Sequence, residues 1–207
     1  MTEKSSVIDK SYISWKGELC RKGIHLTSLS IPIGFFILNS VVVKVILVAA
    51  AAFSLIFDLT RIFGNGFLKR YLDMVFGFIM RPREEKRLSG STTILTAALA
   101  VYLIFDLSIA AASMIIIVIG DTAAAIIGRR YGRIKFKNKS LEGSLAFIIF
   151  SSLGVYLVPN LSFQIGLFGA VIGAVIEALP IAIDDNITVP LIAGGAMQLL
   201  VNYKTLM

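Results

Sequence analysis

Three groups of residues in this sequence have types and spacings that suit phosphate and metal chemistry. Glu18, Arg21, Lys22 and His25 stand at i, i+3, i+4 and i+7, so a helix carries them on one face. Cations grouped this way hold anionic phosphates while the glutamate orients them. The second group opens with Gly120 and Asp121 and continues through Gly128, Arg129, Arg130 and Gly132 to Lys135, Lys137, Lys139, Ser140, Glu142 and Gly143. A carboxylate beside many cations and glycines suits a metal–polyphosphate complex. The carboxylate holds Mg²⁺, and cations and backbone N–H groups neutralise the remaining phosphate charge. There is no Walker A pattern, so a P-loop is excluded. The third group is Glu177 with Asp184, Asp185 and Asn186. These are hard oxygen ligands of the kind Mg²⁺ takes, one or two carboxylates at a time, while it keeps its waters.

Each group has a plainer reading. The first is a charged anchor snorkelling to the headgroups of membrane lipids, and a lone histidine such as His25 is commonly a structural hydrogen-bonder. In the second, Asp121 pairs with Arg129 or Arg130, and the basic loop only marks one side of a membrane. The third is an acidic turn between Pro180 and Pro190, in which Asn186 caps the last helix. Two features weigh against these readings. Asp121 and Glu177 both lie in otherwise apolar runs, where an ionisable group is costly and is a functional hypothesis by default. The small residues around Asp121 also let a ligand or another backbone come close. Gly169 and Gly173 form a GxxxG pair that points to helix packing.

The elements that must position these groups are membrane helices. Of the 207 residues, 57% are hydrophobic, and mean hydropathy is +0.84; a soluble domain is roughly 45–50% apolar. The excess falls into seven runs, near 24–39, 41–63, 90–105, 107–127, 143–158, 162–180 and 187–203. At about 20 residues per crossing, most of the chain is used in spanning. The expected fold is therefore an all-α polytopic bundle, with residues 1–23 as a cytoplasmic N-terminal segment and 24–207 as a single transmembrane catalytic domain. The first 23 residues lack the apolar core of a secretory signal peptide. Cys20 is the lone cysteine, so no internal disulfide or cysteine-cluster metal site is expected.

Charge placement sets the expected orientation. Of the 20 lysines and arginines, all but Lys44 and Lys204 fall in residues 1–23, 61–89 and 128–142. Seven crossings put those three segments on one side, which the positive-inside rule makes cytoplasmic. The turn with Asp184, Asp185 and Asn186 falls on that side too, so all three groups share one face. The net charge of +7 is explained by this topology, and nucleic acid is not an expected partner. Residues 67–80 place Phe67, Leu68, Tyr71, Leu72, Val75, Phe76 and Ile79 opposite Lys69, Arg70 and Asp73. That pattern predicts an interfacial helix, either a stiffened loop or a sill over which a lipid enters.

Three stretches, ELCRKGIH (18–25), GDTAAAIIGRRYGRIKFKNKSLEG (120–143) and EALPIAIDDNITVP (177–190), resemble in this order the CTP-dependent lipid kinases. That family includes dolichol kinase, phytol kinase and CTP-dependent diacylglycerol kinase. The middle stretch is also similar to part of the CDP-diacylglycerol synthases. The chain lacks the synthases' late Asp-Arg-x-Asp motif and their longer proline-rich spacing before the Lys-Ser element, which favours kinase. The resemblance implies transfer of the CTP γ-phosphoryl group to a lipid alcohol: a polyprenol, phytol or geranylgeraniol, or diacylglycerol. It carries the family's Arg-Lys pair onto Arg21 and Lys22, its Gly-Asp onto Gly120 and Asp121, and its following glycine onto Gly128. Its Lys-Ser-x-Glu-Gly element falls on Lys139, Ser140, Glu142 and Gly143, and its Asp-Asn on Asp185 and Asn186. Asp184 has no counterpart in that pattern.

On this reading Asp121, with Asp185 or Glu177, holds Mg²⁺. Arg21, Lys22, Arg129, Arg130 and Lys139 share the triphosphate, Glu142 orients cytosine or ribose, and a carboxylate or His25 takes the alcohol proton. The alternatives are cytidylyl transfer to make a CDP-lipid, and a small ion-coupled transporter using Asp121 and Glu177.

Overall fold

The computed structural model describes residues 15–64, 87–136 and 139–206. The helices in chain order are α1 (Trp15–Thr27), α2 (Ser30–Ile37), α3 (Ser40–Phe63), α4 (Gly90–Ile104), α5 (Leu107–Tyr131), α6 (Leu141–Tyr156), α7 (Phe163–Ala178) and α8 (Asp185–Leu206). Two short strands, β1 (Lys135–Phe136) and β2 (Lys139–Ser140), lie between α5 and α6. The expected interfacial helix at 67–80 lies outside the described residues.

Polar caps set several helix starts. The Asn39 side chain accepts from Val41 N at 2.9 Å to open α3, and Ser140 Oγ accepts from Gly143 N at 3.1 Å to open α6. Asp184, not Asn186, caps α8. Its Oδ1 accepts from Asn186 N at 3.0 Å, and its carbonyl accepts from Ile187 N and Thr188 N. The residue without a family counterpart thus has a local structural task.

α5 is the hub of the bundle. Its middle, including Ala110 to Ala112, Met114 and Ile116 to Val118, is fully buried among α2, α4, α6, α7 and α8. Glycines allow close approach there. A Cβ on Gly120 would lie 2.6 Å from the Phe147 ring, and Met197 of α8 sits against Gly169 of α7. α3 is peripheral: it packs on α4 and exposes large apolar residues such as Phe53 and Ile56. α3 and α5 are long and apolar enough to cross a bilayer, while α4, α6 and α7 are apolar but shorter.

The structure departs from the expected elements in two places. The first apolar run is not one helix: α1 runs through the expected boundary at residues 23 and 24 and stops at Thr27, and α2 starts afresh at Ser30. Pro32 supplies the reason. It has no N–H to give to the carbonyl of Ser28, and its ring would crowd that carbonyl in a continuous helix. The structure is all-α as expected apart from the short β1–β2 hairpin, an antiparallel pair with Lys135 opposite Ser140 and Phe136 opposite Lys139. Leu141 N donates to Ile134 O at 3.0 Å and extends it by one bond.

Candidate active site

α1 docks its charged face onto α5. Arg21 pairs with Glu18 at 2.6 Å along that face. Lys22 reaches across 99 positions of sequence to bond Asp121 Oδ2. His25 Nε2 lies 3.6 Å from the same oxygen, and the His25 ring also hydrogen-bonds with the Ile117 backbone. Glu18, Lys22 and His25 are all buried. The partners of Asp121 are therefore α1 residues, and the simple pairing with Arg129 or Arg130 is not found. Those two arginines are exposed at the end of α5, where Arg130 stacks over the Tyr131 ring at 5.4 Å.

A second cluster forms where the hairpin meets α7 and α8. Lys139 Nζ bonds Glu177 Oε1 and lies 3.1 Å from Asp185 Oδ2. Burial alone would pull the Lys139 pKa down; Glu177 and Asp185 outweigh it and hold it above the ordinary lysine value. Burial pushes the Asp185 carboxyl up, with Lys139 opposing. The charge of Asp121 also acts on Lys139 and Asp185, so the two clusters form one electrostatic unit.

Exposure divides this unit into two tiers. The side chains of Lys22 and Glu177 are 2% and 3% exposed, while those of Asp121, Lys139 and Asp185 are 20%, 32% and 34% exposed. Asp121, Lys139 and Asp185 are the accessible members, and Lys22 and Glu177 are buried against them.

The small residues of the second sequence group build the turn that carries Lys139. Gly128 of α5 faces Gly143 of α6 so closely that a Cβ on Gly128 would lie 3.3 Å from Gly143 Cα and 2.9 Å from Ser140 Oγ. The α5 end and the α6 start therefore pack backbone to backbone. Glu142 Oε1 accepts from Arg133 N at 2.9 Å and Ile134 N at 3.2 Å. Asn186 Nδ2 donates to Thr93 Oγ1 at 3.2 Å, which ties α8 to the start of α4.

That contact leads to residues the sequence reading overlooked. Asp58 of α3 is fully buried; its Oδ1 takes Arg61 Nη2 at 3.2 Å and its Oδ2 accepts from Ser89 N at 2.6 Å. Arg61 also donates to Arg87 O at 2.6 Å. This buried clamp fixes the start of α4, whose Thr93 meets Asn186 and Asp184. A signal was available: Asp58 is an ionisable residue inside an apolar run with an arginine at i+3, the same cost argument that singled out Asp121.

Among the described residues, no three His, Cys, Asp or Glu side chains gather as a closed metal set. Mg²⁺ does not require one, since it binds through one or two carboxylates and keeps water. Glu177 and Asp185 already share one cation, the Lys139 ammonium. The donor chemistry thus fits Mg²⁺ at the exposed carboxylates, with Asp121 and Asp185 the accessible oxygens.

Several known proteins have similar sequences. The CTP-dependent diacylglycerol kinase 1 of Schizosaccharomyces pombe is 27% identical, across 95% of this chain and 99% of its own length. A probable chloroplastic phytol kinase of Glycine max is 36% identical over 90 residues, 35% of this chain and 30% of its own. The dolichol kinase of Saccharomyces cerevisiae is 63% identical over 35 residues, 16% of this chain and 7% of its own. No family profile and no solved structure matches the chain.

Proposed function

The chain is a relative of the CTP-dependent lipid kinase family, and from that premise we propose that it transfers the γ-phosphoryl group of CTP to a membrane lipid alcohol. The observation that carries the proposal is the pair of lysine–carboxylate clusters, Lys22 with Asp121 and Lys139 with Glu177 and Asp185, which draw on α1, α5, the hairpin, α7 and α8.

Phosphoryl transfer asks a protein mainly for positioning and charge neutralisation. Asp121 and Asp185 present oxygens for Mg²⁺, which when bound screens the phosphate charge. Lys139, half-buried beside Asp185, meets the phosphates. Lys22 holds Asp121 from behind, and Glu177 does the same for Lys139. Arg21, Arg129 and Arg130 add positive charge around the entrance. His25 has Nε2 buried and without a hydrogen-bond partner among the described residues. It stands beside Asp121 as the group that accepts the alcohol proton, directly or through that carboxylate.

The chain lies in the membrane through seven crossings, N-terminus in the cytoplasm, with the site at the cytoplasmic boundary. Its support is the clustering of 18 of the 20 basic residues into three segments, with two helices, α3 and α5, long and apolar enough to cross a bilayer. A site at that boundary meets a water-soluble nucleotide and a lipid hydroxyl together.

Purified protein, Mg²⁺ and a panel of lipid alcohols, each with the four γ-labelled nucleoside triphosphates, tests the proposal. Labelled lipid is expected with CTP and with one class of alcohol. No labelled lipid with any pair would reject it.

A further inference from the structure

Glu142 belongs to the Lys139–Gly143 element, for which the family resemblance suggests a nucleotide contact. Its surroundings suggest different work. One carboxylate oxygen is taken by the Arg133 and Ile134 amides at 2.9 and 3.2 Å. Its own backbone N–H and these two amides hold its carboxyl below the ordinary glutamate range. A group that reads a base or a ribose must offer its oxygens to the ligand; here Oε1 is spent on main chain, and Oε2 is buried, without a hydrogen-bond partner among the described residues, and so turned away from the surface a ligand would reach.

The amides it holds lie in the loop that leaves α5 and enters β1. Loop and hairpin are joined closely. A Cβ on Gly132 would lie 2.7 Å from Ser140 Oγ, and Leu141 N bonds Ile134 O at 3.0 Å. The register then places Phe136 opposite Lys139, whose ammonium meets Glu177 and Asp185. A displaced loop therefore displaces Lys139. We propose that Glu142 is a positioning residue: it fixes residues 132–134 and, through the hairpin, sets Lys139 in the site, without reading the nucleotide.

The inference rests on the kinase reading and is tested with the full chain in detergent or nanodiscs. Glu142→Gln keeps an oxygen for both amides, so turnover should stay within about fivefold of the parent. Glu142→Ala should lose at least about tenfold in kcat, with a smaller change in KM for CTP. The preference for CTP over UTP, and for CTP over dCTP, should be the same in all three proteins. Amide hydrogen exchange at Arg133 and Ile134 should speed up in the alanine variant only. A change of about tenfold in either nucleotide preference would overturn the proposal. So would an alanine variant whose two amides exchange as slowly as the parent's. Should Glu142→Ala not fold, Glu142→Gln decides alone. A glutamine amide donates as well as accepts, so a base-reading Glu142 would lose its cytosine preference on that substitution. Absence of γ-phosphoryl transfer in the parent would defeat the kinase reading, and the exchange measurement would still test the positioning role.

Discussion

The two lysine–carboxylate clusters are built in opposite senses. At α1 and α5 the buried member is the cation, Lys22, and the accessible one is the carboxylate of Asp121. At the hairpin the buried member is the carboxylate of Glu177, and the accessible one is Lys139. Burying one member of a pair is tolerable only while the partner stays charged and close. Each cluster thus pairs a buried charge with a more accessible charge of opposite sign. The result is a surface whose accessible charges are an anion, a cation and a second anion, Asp121, Lys139 and Asp185.

The largest effects are expected at the accessible members of the two clusters. Asp121→Asn leaves an oxygen for Lys22 but removes the charge, and phosphoryl transfer should fall on the order of 10³-fold while the protein still inserts. Full turnover by that variant would remove the metal-site account. Next, Asp185→Asn should cost more activity than Glu177→Gln, about 10²-fold against roughly tenfold or less, because Glu177 acts only through Lys139. Equal losses would place Glu177 at the ligand and dissolve the two-tier division.

A fourth variant reverses a sign. Lys139→Met removes the ammonium shared by Glu177 and Asp185. Activity should fall, yet nucleotide-free Mn²⁺ binding followed by paramagnetic resonance should tighten several-fold, since two carboxylates lose their resident cation. Weaker Mn²⁺ binding would contradict the donor assignment. The smallest expected effect is outside both clusters. Thr93→Val removes the hydroxyl that joins α4 to Asn186 and Asp184, and should lower stability in detergent by about 1 kcal/mol, read as a shift in thermal unfolding.

Most helices were legible because hydropathy runs and caps are local properties. The runs at 41–63 and 90–105 lie within one residue of α3 and α4, each opened by a capping Asn39 or Ser89. The first run failed where Pro32 breaks a stretch that hydropathy alone reads as continuous. The hairpin was hidden because two-residue strands have no period to detect. Site residues were legible as types: Lys22, Asp121, Lys139 and Asp185 were all singled out. Their pairings were not, because the bond from Lys22 to Asp121 depends on how α1 docks, which no local pattern encodes. Arg129 and Arg130, nearer in sequence, were the natural partners to expect for Asp121. The Asp58–Arg61 clamp was available by the rule applied to Asp121, but it lies away from the three motif stretches.

The most direct test of the central claim is to incubate the purified protein with its lipid alcohol and either γ-labelled or α-labelled CTP. The account predicts label in lipid from the γ position alone, with CDP released. Label entering lipid from the α position would mean cytidylyl transfer and would contradict it.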